Sequence, residues 1–190
     1  MPLLEIRWHG RGGQGAKTAA LLFADAALET GKYIQAFPEY GPERMGAPVQ
    51  AFNRLSDEPI RLHCGIKCPK IVVILDPTLA ETVNVTEGVP EDGIIVINTT
   101  ESAEVMRKKL GLKDQKVYTV DATKIAKEVL GRDIPNTPML GALTRATGIL
   151  DFESMVNSVH EKLKKKFITN PELVEKNIEA IRRAYEEVTV

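Results

Sequence analysis

Residues 7–18, which read RWHGRGGQGAKT, decide how this chain is expected to fold. The stretch follows an apolar run that contains Leu3, Leu4 and Ile6, and it leads into a helical pattern of apolar residues. A strand, a glycine-dense turn and a helix in this order are typical of α/β proteins that bind anions. Glycine allows close backbone approach, and the helix N-terminus offers unpaired N–H groups. The stretch therefore predicts an α/β fold that begins with an anion-favouring turn.

Two nucleotide-binding motifs overlap in this turn. Gly10, Gly12 and Gly15 satisfy the G-x-G-x-x-G fingerprint of dinucleotide-binding proteins. Gly10 and Gly15 also have the separation of a Walker A loop, but Ala16 stands where that motif needs lysine. The turn thus resembles two motifs and matches neither completely. A purely structural turn, which packs a helix against a strand, is an interpretation of equal standing with anion binding.

The residues that would complete a dinucleotide site are only partly present. Residues 33–37 form the predicted second strand, and Glu39 lies at about the distance expected for a ribose contact. However, Pro38 and the Gly-Pro pair that follows indicate a loop and not a β-α-β crossover. Dinucleotide binding is therefore a weaker hypothesis than anion binding.

An ATP site is equally incomplete. Asp76 ends an apolar run at residues 71–75 and could bind magnesium, as an ATPase requires. The pair Asp76-Pro77 is just as typical of a turn before a helix. A stand-alone nucleotide-binding protein that uses residues 10–18 consequently stays the alternative function.

Composition limits the class of protein. A chain of 190 residues with 43% hydrophobic content can bury a core, and we expect one domain over residues 1–190. The net charge of −1 argues against nucleic-acid binding. No apolar stretch is long enough to span a membrane, and the N-terminus does not resemble a signal peptide. The expected location is the cytoplasm.

The two cysteines do not predict a metal centre. Cys64 and Cys68 are four positions apart, and only His63 stands nearby. A structural zinc or an iron–sulfur cluster normally takes four protein ligands. We expect reduced thiols in a loop, with a redox pair as the alternative, and no metal ligands.

The remaining pattern alternates short apolar strands with helices and predicts a three-layer α/β fold. The sheet is expected to be mostly parallel and Rossmann-like, with helices on both faces and a helical C-terminal third. Thr137 and Pro138 predict the start of one late helix, and Asp151 and Asn170 predict the starts of the next two. The predicted strands after the first are residues 33–37, 49–55, 71–75, 94–97 and 117–120.

A second unusual loop spans residues 37–50. It combines three prolines and two glycines with Tyr40, Glu43 and Arg44. A stiff loop that displays these side chains favours binding or an interface over a plain connection, because tyrosine and arginine are common interface anchors. Motifs of a self-contained catalytic set, such as G-x-S-x-G or H-E-x-x-H, are absent from the sequence, so no catalytic residue is predicted.

Three separated segments carry a family resemblance: residues 6–15, residues 40–52 (YGPERMGAPVQAF) and residues 134–142 (IPNTPMLGA). In this order, over nearly the whole chain, they resemble the γ subunit of 2-oxoacid:ferredoxin oxidoreductases, above all the pyruvate-specific type. The resemblance implies a subunit, inactive alone, of an enzyme that converts pyruvate and coenzyme A to acetyl-CoA, carbon dioxide and reduced ferredoxin. A branched-chain 2-oxoacid is an open alternative substrate, because substrate contacts are expected in other subunits.

The same resemblance implies where the cofactors lie. Thiamine diphosphate, magnesium and iron–sulfur clusters are expected in α, β and δ (ferredoxin-like) partner subunits, with ferredoxin as the electron acceptor. This chain is expected to serve assembly and to shape the active-site entrance, with Tyr40, Glu43 and Arg44 in that loop. A phosphate of coenzyme A would suit the helix N-terminus at the glycine turn. The turn residues proposed for this contact are Gly10, Gly12, Gly13, Gln14 and Gly15.

Overall fold

The computed structural model describes residues 3–39 and 45–190 of the chain. Within these residues strands and helices alternate, and four consecutive helices end the chain. The elements are β1 (Leu4–Arg11), α1 (Ala16–Leu28), β2 (Tyr33–Glu39), β3 (Pro48–Ser56), β4 (Ile71–Ile74), α2 (Leu79–Thr82), β5 (Ile94–Asn98), α3 (Ala103–Lys109), β6 (Lys116–Val120), α4 (Ala122–Leu130), α5 (Asn136–Thr147), α6 (Phe152–Lys166) and α7 (Pro171–Glu187).

One sheet with the strand order β2-β3-β1-β4-β5-β6 forms the centre of the molecule. Strands β1, β4, β5 and β6 pair in parallel, whereas β3 pairs antiparallel with both β1 and β2. The predicted α/β class and the mostly parallel sheet are therefore confirmed. The predicted loop start at Pro38 was wrong, because Pro38 and Glu39 still belong to β2 and pair with Ala51 and Gln50 of β3. No helical crossover separates these two strands within the described residues, and they pair antiparallel.

The central strands are apolar on both faces because helices cover the sheet on both sides. Val73 and Val96 belong to the larger core, which includes residues of α1, α4, α5, α6 and α7. Val72, Ile74 and Ile95 point the other way, into a smaller core with residues of α2 and α3. This arrangement gives the three predicted layers.

Side-chain caps define where the last helices begin. Asp151 accepts a hydrogen bond from the backbone N–H of Ser154 at 2.9 Å, and Asn170 accepts one from Leu173 at 3.1 Å. Both predicted helix starts are confirmed. The hydrogen bonds that Ser154 donates, from its backbone N–H first and its hydroxyl second, hold the pKa of Asp151 below its ordinary value against a smaller opposing effect of burial.

The predicted start of α5 was wrong. The helix begins at Asn136, and Thr137 is a buried residue inside the first turn instead of its cap. A buried hydroxyl needs a hydrogen-bond partner. Thr137 donates its hydroxyl to Oδ1 of Asn177 on α7 at 2.9 Å, so its polar group ties two helices together.

Candidate functional site

The glycine turn connects β1 to α1, and two of its glycines are required by the backbone. Gly13 and Gly15 have φ angles of 102° and 83°, in the left-handed region that favours glycine. A Cβ on Gly15 would also lie 2.5 Å from Nδ2 of Asn136. Gly10 packs closely for a different reason, since a Cβ there would lie 3.3 Å from the Cβ of Ala16 at the start of α1.

The turn and the second unusual loop form one structural unit. Gly12 donates its N–H to the carbonyl of Ala47 at 2.9 Å and accepts from the N–H of Gly46 at 3.0 Å. These bonds extend the β1–β3 pairing beyond the register pair of Arg11 and Pro48. Both backbone groups of Gly12 are thus engaged within the chain.

Gln14 braces the turn from inside. Its Oε1 accepts from the backbone N–H of Arg11 at 2.8 Å, and its Nε2 donates to Oδ2 of Asp76 at 2.8 Å. The guanidinium Nε of Arg11 reaches the same Oδ2 at 3.2 Å. The side chain of Gln14 is therefore engaged by the protein in this structure.

Asp76 belongs to the turn that precedes α2. Its Oδ1 accepts from the backbone N–H of Thr78 at 3.0 Å and from the Thr78 hydroxyl at 2.6 Å. Burial alone would raise the pKa of Asp76. The hydrogen bonds from Thr78 and Gln14, together with the charge of Arg11, outweigh burial and hold that pKa below its ordinary value. The carboxylate is thus ionised and surrounded by donors.

Two helices begin side by side at this turn. Gly15 precedes α1, and Asn136, the first residue of α5, lies directly over it. No described side chain caps either helix at its N-cap residue, and neither first turn contains an acidic residue. Because helix N-termini carry partial positive charge, this part of the surface favours an anion.

A cleft of about 220 Å³ opens beside Gly13 and Gly15. Arg132, in the connection between α4 and α5, and Lys166, at the end of α6, line it, and none of the described residues that line it is acidic. Ligand pockets for whole small molecules usually enclose roughly 300–1,000 Å³. The cleft therefore suits a phosphate-sized group better than a complete dinucleotide.

A second cleft of about 260 Å³ lies on the other side of the turn, against β2 and β3. It brings Glu39 near Gly12 and Gly13, so the acidic residue considered for a ribose contact does approach the glycines. In a Rossmann site that residue ends a strand next to the first one. Here β3 separates β2 from β1, and the topology departs from the dinucleotide-binding pattern.

The strand that leads into the turn carries a buried polar pair. Nε of Arg7 donates to Nε2 of His9 at 3.0 Å, and both side chains lie inside the protein. Arg7 also donates to the carbonyls of Val85 and Glu87, at 3.1 and 2.7 Å. Burial and the nearby charge of Arg7 lower the pKa of His9 to about 3, against a weaker opposing hydrogen bond with Val85. His9 is therefore neutral at physiological pH.

Several predicted residues are outside the site or outside the described residues. Tyr40, Glu43 and Arg44 lie in residues 40–44, which the structure does not describe. Cys64 and Cys68 are exposed free thiols. Across residues 3–39 and 45–190, no three or more His, Cys, Asp or Glu side chains cluster so that they could hold a metal ion. In the same ranges no helix combines the length and apolar character needed to cross a bilayer.

Sequence reasoning missed Asn136, Arg132 and Lys166 as neighbours of the turn. Asn136 lies within the segment 134–142 that carried the family resemblance, so a signal for it was present. Arg132 carried no motif, and Lys166 belongs to a basic run with Lys162, Lys164 and Lys165 that is more typical of a solvated helix end than of a polyanion site. The approach of Arg132 and Lys166 to the turn results from the packing of α5, α6 and α7, which are distant in sequence.

The sheet, the glycine turn and the open helix starts define the class: an α/β domain with an anion-favouring turn on its first strand. The chain belongs to the pyruvate ferredoxin/flavodoxin oxidoreductase family, whose sequence model matches residues 5–187. Within that family it is a γ-type subunit, as the resemblance of its three segments implied.

Individual relatives align with this chain over nearly its whole length. Pyruvate synthase subunit PorC of Thermotoga maritima is 52% identical over 184 residues, covering 97% of this chain and 94% of the relative. The common subunit gamma of the pyruvate/ketoisovalerate oxidoreductases of Pyrococcus abyssi is 49% identical, covering 99% of this chain and 98% of the relative. The crystal structure of the Thermotoga maritima pyruvate oxidoreductase subunit superposes with a TM-score of 0.83 at 48% identity, covering 98% and 97% of the two chains.

Proposed function

We propose that this chain is the γ subunit of a pyruvate:ferredoxin oxidoreductase and that its glycine turn contacts a phosphate group of coenzyme A. One observation carries the proposal. The three segments of the family resemblance meet at the turn, where Gly12 bonds to Gly46 and Ala47, and Asn136 packs on Gly15. Segments so far apart in sequence converge on a surface that favours an anion, which supports a shared binding role.

The charges around the turn support a phosphate contact. The starts of α1 and α5 border the cleft that Arg132 and Lys166 line, and neither N-cap residue makes a side-chain cap bond. Oδ1 of Asn136 does accept from the N–H of Thr137 at 2.8 Å, and the other N–H groups of these starts contribute partial positive charge. Phosphates of coenzyme A are anions of suitable size for this cleft. The rest of such a ligand would extend beyond the cleft, toward the partner subunits.

The proposed division of labour places the redox and thiamine chemistry in α, β and δ partner subunits. The whole sequence contains two cysteines, whereas an iron–sulfur cluster normally takes four, so a cluster does not fit this chain. Thiamine diphosphate, magnesium and the clusters would supply decarboxylation and electron transfer to ferredoxin from those partners. This chain, acting as one domain over residues 1–190, would bind and orient coenzyme A at the active-site entrance.

The proposed substrate is pyruvate, as in the Thermotoga maritima relative. The Pyrococcus abyssi subunit is named as common to pyruvate and ketoisovalerate oxidoreductases. A γ subunit shared by two enzymes fits a role toward the common co-substrate better than a role toward the 2-oxoacid. The free thiols of Cys64 and Cys68 suit the reducing cytoplasm, which is the proposed location.

The experiment compares Gly13→Val with Lys17→Ala in the reconstituted complex, with the rate of acetyl-CoA formation and ferredoxin reduction as the readout. Valine at a φ of 102° distorts the turn, so we expect KM for coenzyme A to rise on the order of 10-fold, and by less for Lys17→Ala. The isolated chain is expected to be inactive. Equal KM values for both variants, or micromolar affinity of the isolated chain for ATP or NAD, would overturn the proposal.

A further inference from the structure

We infer that Asp76 is a positioning residue that acts through the amide of Gln14 to hold the glycine turn in its binding shape. The inference rests on the proposed contact between that turn and coenzyme A. Asp76 has no described contact with the cleft, so its influence has to pass through other side chains. It follows β4, the parallel neighbour of β1, and the bond from Leu75 N–H to the His9 carbonyl at 2.8 Å fixes it beside the start of the turn.

The hydrogen bonds around Asp76 have a defined direction. Oδ1 accepts two bonds from Thr78, and Oδ2 accepts one bond each from Gln14 and Arg11. An ionised carboxylate can accept at all of these positions, whereas an asparagine would turn a donor toward another donor. Gln14 must then direct its Nε2 to Asp76 and its Oε1 to the backbone N–H of Arg11. Asp76 therefore determines the orientation of the Gln14 amide.

The orientation of that amide matters because it closes the turn. The bond from the N–H of Arg11 to the side chain of Gln14 joins the last residue of β1 to a residue three positions later. Gly13 and Gly15, on either side of Gln14, have no side chain of their own to restrict the backbone. The side chain of Gln14 supplies the constraint that these glycines lack. Asp76 is mostly buried, with 13% of its side chain exposed, so solvent competes little for its bonds.

The same contacts argue against a magnesium ligand at Asp76. Both of its oxygens face N–H or O–H donors, and the guanidinium of Arg11 lies 3.2 Å from Oδ2. A cation at this carboxylate would be repelled by Arg11 and would displace the bonds of Gln14 and Thr78. The geometry fits a hydrogen-bond acceptor that shapes the turn.

Exchanging the hydrogen-bond donor and acceptor between positions 14 and 76 in the reconstituted complex tests the inference. Asp76→Asn sets two donors against each other, and Gln14→Glu sets two carboxylates against each other. We expect each single variant to raise KM for coenzyme A about 10-fold, with a smaller effect on kcat and none on KM for pyruvate. In the double variant a carboxylate at position 14 would accept from an amide at position 76. We expect its KM to return to within about threefold of the unmodified complex.

Controls separate positioning from a loss of folding. Asp92→Asn makes the same chemical change at an exposed carboxylate, paired with Lys70, and is expected to leave KM for coenzyme A unchanged. Thermal unfolding and co-purification with the partner subunits are measured for every variant. If Asp76→Asn does not assemble, Gln14→Ala removes the bond to Oδ2 of Asp76 together with the bond from the Arg11 N–H, and it must raise the same KM.

The outcomes distinguish this inference from the function on which it rests. A raised KM in Gly13→Val with unchanged KM in both single variants overturns the role of Asp76 alone. An unchanged KM in Gly13→Val overturns the coenzyme A contact and the inference with it. A double variant that stays as impaired as the single variants also overturns the inference. Such a result would mean that Asp76 acts through its charge, which the double variant lacks at position 76, and not through its hydrogen bond with Gln14.

Discussion

The starts of α1 and α7 differ in how their backbone N–H groups are satisfied. At α7, Asn170 caps the helix, Pro171 follows, and Glu172 adds a negative charge in the first turn. At α1, Gly15 precedes the helix, no described side chain caps it, and the first turn has no acidic residue. Helix α1 is held by packing instead, because eight of its thirteen residues are buried. The difference leaves α1, unlike α7, with a start whose partial positive charge is not offset by a side chain at the N-cap or by an acidic residue in the first turn, as the proposed phosphate contact requires.

Gly15→Ala tests whether the open helix start depends on close packing. The new Cβ would lie 2.5 Å from Asn136 Nδ2 at a φ of 83°. We expect a loss of roughly 3 kcal/mol in the free energy of unfolding, from the left-handed backbone and the clash together. Gly31 has a φ of 77°, and a Cβ there would have no atom within 4 Å. We therefore expect Gly31→Ala to lower the free energy of unfolding by only about 1 kcal/mol. Denaturant unfolding measures both, and equal losses would refute the role of Asn136.

His9→Gln tests whether the strand that leads into the turn depends on a neutral histidine. The folded pKa of His9 is about 3, below its ordinary value of 6.5. The unfolded chain therefore binds this proton first as the pH falls. Stability from this group is complete above pH 6.5 and is lost progressively toward pH 3.

At pH 5 the free energy of unfolding of the unmodified chain should be about 2 kcal/mol lower than at neutral pH because of His9. His9→Gln keeps an acceptor for Arg7 but cannot titrate, so its stability should change less between pH 7 and pH 5. Unfolding free energies at pH 7, 6 and 5 measure the difference. Parallel curves for the two proteins would show that His9 does not titrate as the structure indicates.

Arg132→Gln tests the positive charge beside the open helix start. We expect KM for coenzyme A to rise about fivefold in the reconstituted complex, since an exposed ionic contact contributes up to about 1 kcal/mol. The effect should shrink as salt concentration rises. Arg182→Gln is the matched control, because Arg182 pairs with Glu153 and does not line the cleft. An equal rise in the control would contradict the proposed contact.

Asn170→Ala tests the closed helix start of α7. Loss of the bond to the N–H of Leu173 should reduce the free energy of unfolding by about 1 kcal/mol. KM for coenzyme A should stay unchanged, because Asn170 does not line the cleft. Chemical denaturation and steady-state kinetics measure the two effects. A changed KM without a change in stability would contradict the division between a closed and an open start.

Much of the fold could be predicted from local sequence because its signals are local. The β-branched runs at residues 71–75 and 94–97 indicated strands buried on both faces, and Asp151 and Asn170 indicated two helix starts. The prediction that Thr137 starts α5 was wrong because its hydroxyl bonds to Asn177, forty positions away. A cap and a buried interhelical bond use the same residue type, and only tertiary packing decides between them.

The site was less predictable than the fold for a related reason. The glycines of the turn could be identified from spacing alone, but their partners could not. Gln14 was predicted as a ligand contact, which stays a prediction, and the sequence did not indicate that its amide also bonds to Arg11 and Asp76. Arg132 belongs to no motif and Lys166 to a basic run typical of a solvated helix end, and the position of both depends on how α5, α6 and α7 pack.

The bracing of the glycine turn has a consequence for the order of folding. Arg11 is bonded to Gly46 and Gln14 to Asp76, across 35 and 62 positions of the chain, and Gly15 contacts Asn136 across a still longer separation. Contacts between distant segments form slowly because loop closure costs entropy. The turn is encoded near the N-terminus, but it can acquire its final shape only after α5 has emerged and docked. A nascent chain that ends before residue 136 would carry all of the glycines in an unfinished site.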